Sequence, residues 1–353
     1  MRSLPIILVL LAACGGGSGT APALPLQPPS GVTTISDVQG NRSSSPFVTQ
    51  TVSVAGIVTG DFQDNDADSM RNLGGFYLQD ESPDGDPSTS DGIFVFDGKR
   101  PSIDVRVGDR VAVRGTVNEY FGETQLTEAT VDIVGSGSIQ ATDVILPAAR
   151  TMTNSDNELL ADLERYEGML IRLPQTLSVT DLRNLEAFGA IGLSEGGHLY
   201  QFTNANAPHR HGYAVHKTLN ARRSIELDDG RRSAYPKFVR YLKAGPAPAY
   251  SIRMGDTITG VTGNLRYSRG SGGRGDESWR LMPTTDPEFD SVNPRPGNPS
   301  VGGSLRVTSF NANNFFSTVD SGQRVCGPRR EDSCRGADSA EELQRQLAKI
   351  ASA

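Results

Sequence analysis

Val105-Arg106-Val107-Gly108-Asp109 recurs further along the chain as Ile252-Arg253-Met254-Gly255-Asp256. Each phrase opens a run of period-two alternation: Val111, Val113, Gly115 and Val117 in the first, Ile258, Val261, Gly263 and Leu265 in the second. Side chains two positions apart in a strand share a face, so each run predicts a half-buried strand. The one-residue slip in the second run, between Ile258 and Val261, predicts a β-bulge. A Gly-containing turn and one more short strand follow each run, over 124–126 and 279–282. The repetition predicts two copies of one β module.

Apolar segments at 52–58, 75–79 and 93–96 precede the first phrase, so the first module, 32–150, holds about five short strands. That count suits an OB-like barrel. The second copy, 151–292, starts at Glu167-Gly168-Met169-Leu170, runs on through Leu199-Tyr200-Gln201-Phe202, and carries a long insertion over 205–248, so it is expected as an elaborated OB-like barrel. Leu159, Leu160, Leu163 and Tyr166 lie at helical spacing and predict a short helix over 156–166 joining the two. The composition agrees with a β-rich chain of two to three domains: 353 residues, 36% hydrophobic, with 39 Gly and 21 Pro to supply turns.

Net charge is −7, from 41 acidic against 34 basic residues, which excludes holding a polyanion by bulk charge. Any nucleic-acid contact must be local. OB-like surfaces hold single strands by stacking bases on aromatics above a basic groove. The aromatics available are Phe76, Phe94, Phe96, Tyr120 and Phe121 in the first module and Tyr267 and Trp279 in the second, although alternating strand aromatics commonly belong to a core. Arg222, Arg223, Arg231, Arg232, Lys237, Arg240 and Lys243 outnumber Glu226, Asp228 and Asp229 by four, as a steering patch or as a solvated loop. Asp64, Asp66 and Asp68 alternate like calcium ligands, but Ser69 and Gly75 stand where an EF-hand needs Gly and Glu. His209, Arg210 and His211 lie in a polar stretch without metal spacing and are assigned no chemistry.

The first 14 residues read as an export signal, with Arg2 ahead of a short apolar run over 4–11. That run is far below the roughly 20 residues a membrane span requires. Leu11-Ala12-Ala13-Cys14 fits a lipobox, with Cys14 as the lipidated first residue of the mature chain and a membrane as its partner; an ordinary cleaved signal is the alternative. Residues 15–31 form a Gly/Pro/Ser tether. Cys326 and Cys334, an even pair in an exported chain, are expected to form a disulfide. Zinc would want four ligands, and no histidine follows His216.

After a Pro/Gly linker at 293–303, Leu305-Arg306-Val307-Thr308-Ser309-Phe310-Asn311 alternates like a strand delivering an amide to its C-terminal end. Apolar Leu343, Leu347 and Ile350 then predict a helix over 340–351. This segment resembles the opening of the DNase I-like endonuclease/exonuclease/phosphatase domain. Cys334-Arg335-Gly336-Ala337-Asp338-Ser339, Arg345-Gln346, Ser224-Ile225-Glu226-Leu227-Asp228-Asp229-Gly230 and Asn293-Pro294-Arg295-Pro296 resemble the ExeM/NucH extracellular nucleases. The resemblance implies metal-dependent hydrolysis of DNA or RNA with Mg, Mn or Ca, and matches Asn311 to the family's first active-site asparagine, with Asn314 in support. It also implies that 304–353 is the first strand and helix of a truncated α/β-sandwich domain whose metal-binding glutamate, histidines and aspartates lie beyond Ile350. The expected function is the N-terminal part of a secreted or surface-anchored bacterial endonuclease. The other class open is an OB-fold lipoprotein that binds nucleic acid, glycan or a partner protein without catalysis.

Overall fold

The computed structural model describes residues 31–64, 71–236, 239, 241–242, 252–270, 273–294, 297, 300–305, 307, 309, 311–312 and 315–352. Cys14, Asp66, Asp68, Lys237, Arg240, Lys243 and Asn314 lie outside these residues. The chain is mainly β.

Strands β1 (Thr51–Phe62), β2 (Gly75–Gln79), β3 (Gly92–Phe96), β4 (Asp109–Tyr120) and β5 (Glu123–Ser136) close into a barrel in the order β1-β2-β3-β5-β4. Every neighbouring pair is antiparallel except β3 and β5. The alternation in β4 turns Val111, Val113 and Val117 into an interior shared with Val54, Val58, Phe76, Leu78, Ile93, Val95 and Leu126. The short helix α1 (Ile35–Gln39) adds Ile35 and Val38 to that core, and Asp80 accepts the Ile35 amide N–H at 2.9 Å.

The second unit contains β6 (Thr142–Asp143), the hairpin β7 (Thr151–Thr153) and β8 (Leu159–Ala161), and β9 (Leu170–Asp181), β10 (Ile191–Glu195), β11 (Ser224–Leu227), β12 (Thr257–Ser268) and β13 (Ser278–Pro283). Strand β9 pairs with both β10 and β12, β10 with β11, β11 with β13, and β13 with β12. These pairings close a ring β9-β10-β11-β13-β12. Strand for strand the order matches the first barrel, and the parallel contact again joins the third and fifth strands of the ring. Leu177, Val179, Leu193, Leu227, Leu265, Leu281 and Trp279 fill it.

The repeated phrase is a repeated turn. Asp109 accepts the Arg106 N–H and Asp256 accepts the Arg253 N–H, each at 2.8 Å. Gly108 and Gly255 both sit in the left-handed region, φ 97° and 95°, and donate to Val58 and Val179 on the first strand of their own ring. Glycine takes that φ without a Cβ clash, and the aspartate satisfies an amide the turn would orphan. Each phrase therefore launches the long fourth strand of its ring. The predicted slip is present: the register of β12 against β9 shifts between Thr259 and Val261, with Gly260 at φ 71°.

Three expectations are corrected. No helix spans 156–166: the Asn154 carboxamide oxygen accepts from Asp156 and Glu158 N–H at 3.1 and 2.8 Å and turns the chain into the β7–β8 hairpin, with only a 3₁₀ turn at Glu164–Tyr166. The segment 205–248 is not wholly an insertion. It contains the helix lying between β10 and β11, Arg210–Arg222, and then β11, a ring strand whose Ile225 and Leu227 are buried. The second ring strand is β10, whose Ile191 and Leu193 reach the core, while Tyr200 stays 48% exposed. Nor do the described residues of the strand expected over 305–311 form one: Leu305, Val307, Ser309 and Asn311 take no strand, and Leu305 and Val307 are 80% and 87% exposed, with no apolar layer facing them among the described residues. The terminal helix spans Ala340–Ser352, and Cys326 and Cys334 are joined with Cα atoms 5.0 Å apart. Among the described residues no helix is long and apolar enough to cross a membrane.

Candidate functional site

The two rings are packed against each other through surfaces stripped of side chains. A Cβ on Gly92 would lie 2.4 Å from the Gly168 carbonyl carbon, and one on Gly60 would lie 2.1 Å from the Asn264 side-chain oxygen. Asn264 in turn donates to the Thr59 hydroxyl at 2.8 Å, and Gln79 accepts the Leu170 N–H at 2.9 Å. Phe62, Leu73, Tyr77 and Phe94 of the first unit meet Met282 of the second in a separate apolar cluster.

Where this seam opens it forms a cavity of ≈ 300 Å³. The first ring supplies Phe94 and Phe96 from β3, Tyr120 and Phe121 from the β4–β5 turn, and Gln125 and Thr127 from β5. The second supplies Arg231 and Arg232 after β11, Arg266 and Ser268 from β12, Arg269 just beyond it, and Met282. Tyr120 and Phe121 stand 49% and 42% exposed with ring centroids 4.7 Å apart. Phe121 and Gly122 both have positive φ, and a Cβ on Gly122 would meet the Tyr267 ring at 2.8 Å, so the tight turn that presents the two rings rests on the second barrel.

The cationic side chains are held by carboxylates. Arg232 reaches Asp64 at 2.6 Å. Arg269 bonds Glu277 at 3.1 Å and Asp156 at 3.3 Å, with its guanidinium 5.8 Å from the Phe121 ring centre. Arg266 is buried, paired with Glu123 at 2.8 Å and lying 5.0 Å over the Phe94 ring. Behind it Glu123, Glu164 and Glu167 are crowded. Burial, opposed by Arg266, pushes the Glu123 carboxyl up to about 7. Burial and then the Glu119 charge push Glu164 up to about 8, and burial with Glu164 beside it raises Glu167 well above the carboxylate range. Desolvation disfavours the charged form, so the back of the seam takes up protons and carries less negative charge than its composition suggests.

The nominated aromatics divide. Phe94, Phe96, Tyr120 and Phe121 meet in the cavity, whereas Phe76 belongs to the first core and Tyr267 and Trp279 to the second. Of the basic patch, Arg231 and Arg232 line the cavity; Arg222 and Arg223 are turned away to the Ala148 and Gly197 carbonyls. His209 caps its helix by accepting the Gly212 N–H. Gln125, Arg266 and Arg269 carry no motif, and the only signal for the arginines is their placement at the end of a strand of which both faces are buried. Asn311 is not among the cavity residues. Among the described residues no group of three or more His, Cys, Asp or Glu side chains converges to hold a metal ion, and no step is derived through one. No protein-family model matches this chain, and no curated protein matches it.

Proposed function

We propose that this chain is the substrate-holding part of an exported, metal-dependent endonuclease acting on extracellular DNA, of the ExeM/NucH kind that its sequence resembles. The observation that carries the reading is the cavity in the seam, where four aromatics from one barrel face arginines from the other. The strand order, with one parallel pair between third and fifth strands, supports an OB-like assignment for both rings. OB-like barrels take oligonucleotides on the β2–β3 face and at the loops after the first and fourth strands. Leu73, ahead of β2, Phe94 and Phe96 on β3, and Tyr120 and Phe121 in the β4–β5 turn border this cavity in those positions.

Bases would stack on the exposed rings, which any base can do because every base has a π-face. Phosphates would bond the rim arginines and release counterions. The overall charge of −7 repels nucleic acid elsewhere and confines it to this local cationic face. Phosphodiester hydrolysis itself is assigned to the domain that Asn311 opens, and lipid on Cys14 would hold the enzyme at the cell envelope.

Fluorescence anisotropy of a labelled DNA 20-mer with the whole chain tests the reading. Binding should weaken as salt rises, and Phe121→Ala should weaken it about 5- to 150-fold, the loss of one stacked base. Absence of binding, or binding indifferent to both salt and Phe121, refutes it.

A further inference from the structure

We infer that the seam cavity accepts one unpaired nucleobase and reads its edge with the carboxamide of Gln125. The inference rests on the nucleic-acid reading above and narrows it to single strands.

Gln125 lines the cavity from β5 and is only 5% exposed. Its backbone is pinned on both sides, opposite Phe94 on β3 and Asn118 on β4. The carboxamide has no hydrogen-bond partner among the described residues, whereas most other polar side chains of the cavity are engaged through at least one atom, the buried Arg266 Nε remaining unbonded. Thr127 donates to the Thr116 carbonyl, Ser268 accepts from Gly270, and Arg266 is paired with Glu123. Buried amides almost always have partners, so a fixed, unengaged donor–acceptor pair facing a cavity marks a ligand edge.

The ligand's chemistry follows from the walls. Aromatic faces beside a carboxamide fit a flat heteroaromatic with adjacent donor and acceptor atoms, which is what a nucleobase edge presents. Arg232 and Arg269 on the same wall fit the attached phosphate. A volume of ≈ 300 Å³ is at the small end of ligand pockets, enough for a nucleoside-sized group. In a duplex the base faces are stacked and the pairing edges occupied, so a base must be unpaired to offer both to one pocket.

The whole chain is titrated into a labelled single-stranded 20-mer and into a hairpin duplex of the same sequence. A second single strand carries one 2-aminopurine, whose fluorescence is quenched when it stacks. Single strand should bind at least about tenfold tighter than duplex, and 2-aminopurine should be quenched on binding. Gln125→Leu keeps the shape and removes the edge contact; it should weaken single-strand binding about 5- to 150-fold and leave the duplex unchanged. Equal affinity for both forms, or binding without quenching, overturns the inference even if Gln125→Leu fails to fold. Gln125→Leu binding as the parent does also overturns it. Each of these three results leaves the preceding reading standing, whereas failure of both nucleic acids to bind overturns both.

Discussion

Replacing Arg266 with methionine removes the cation that faces Glu123 across 2.8 Å in a seam where the two side chains are 9% and 1% exposed. Removing one partner of a buried ion pair costs about 3–5 kcal/mol, because the remaining charge is left uncompensated. Glu123 has an escape, which is to take up a proton. Its carboxyl is already at about 7 in the folded chain, with burial as the main cause and Arg266 opposing it. A carboxyl raised on folding binds a proton more tightly in the folded state. Its contribution is therefore fully present below its unfolded value, and stability is lost as pH rises through the folded one, at up to about 1.4 kcal/mol per pH unit. Parent and variant should lose stability in parallel up to pH 7. Above it the parent levels off and the variant, whose Glu123 titrates higher, continues to fall. The deficit of Arg266→Met should accordingly be about 1 kcal/mol larger at pH 8 than at pH 7, since the parent's Glu123 is still partly protonated at the start of that interval. Urea melts at the two pH values measure it, and Arg266→Met combined with Glu123→Gln should recover most of the pH 8 deficit. A deficit that does not change with pH, or a double variant no more stable than the single, refutes the reasoning.

Three further outcomes are expected. Gly168→Ala should cost roughly 1–3 kcal/mol from its left-handed backbone alone, with more from the approach to Gly92, and a neutral result in a urea melt would contradict the direct contact between the rings. Metabolic labelling with a fatty acid should tag the parent and not Cys14→Ser, since no other cysteine lies in a lipobox; label retained in the variant would remove the anchor from the account. Plasmid DNA incubated with this chain and magnesium, manganese or calcium should stay intact, because Asn311 alone neither holds a cation tightly nor removes a proton from water. Cleavage that disappears in Asn311→Ala would show a complete site.

What could be read in advance was local. The paired Gly-Asp phrases were legible because one turn geometry demands both a left-handed residue and a side-chain acceptor, and the turn fixes where each long strand begins. The bulge at Gly260 was legible because a broken alternation has few other solutions. Leu159, Leu160 and Leu163 misled, since helical spacing in so short a run does not outweigh Asn154 and Asn157 turning the chain. Strand β11 was hidden by its length, four residues behind a helix, and is defined by its partners β10 and β13 rather than by its own pattern. The exposed aromatics of the β4–β5 turn could be nominated but not separated from core aromatics such as Trp279. Gln125 and Arg266 were illegible, because their meaning comes from the second barrel closing over the first.

Photocrosslinking tests the central claim most directly. A single strand carrying 5-iodouridine in place of thymidine is bound to the whole chain, irradiated, and the adducts mapped by mass spectrometry. Adducts on Phe96, Tyr120 or Phe121 are predicted, and free unlabelled single strand should compete them away. Adducts confined to residues away from the seam, or none at all under conditions where the strand is bound, would contradict the assignment of the inter-barrel cavity as the nucleic-acid site.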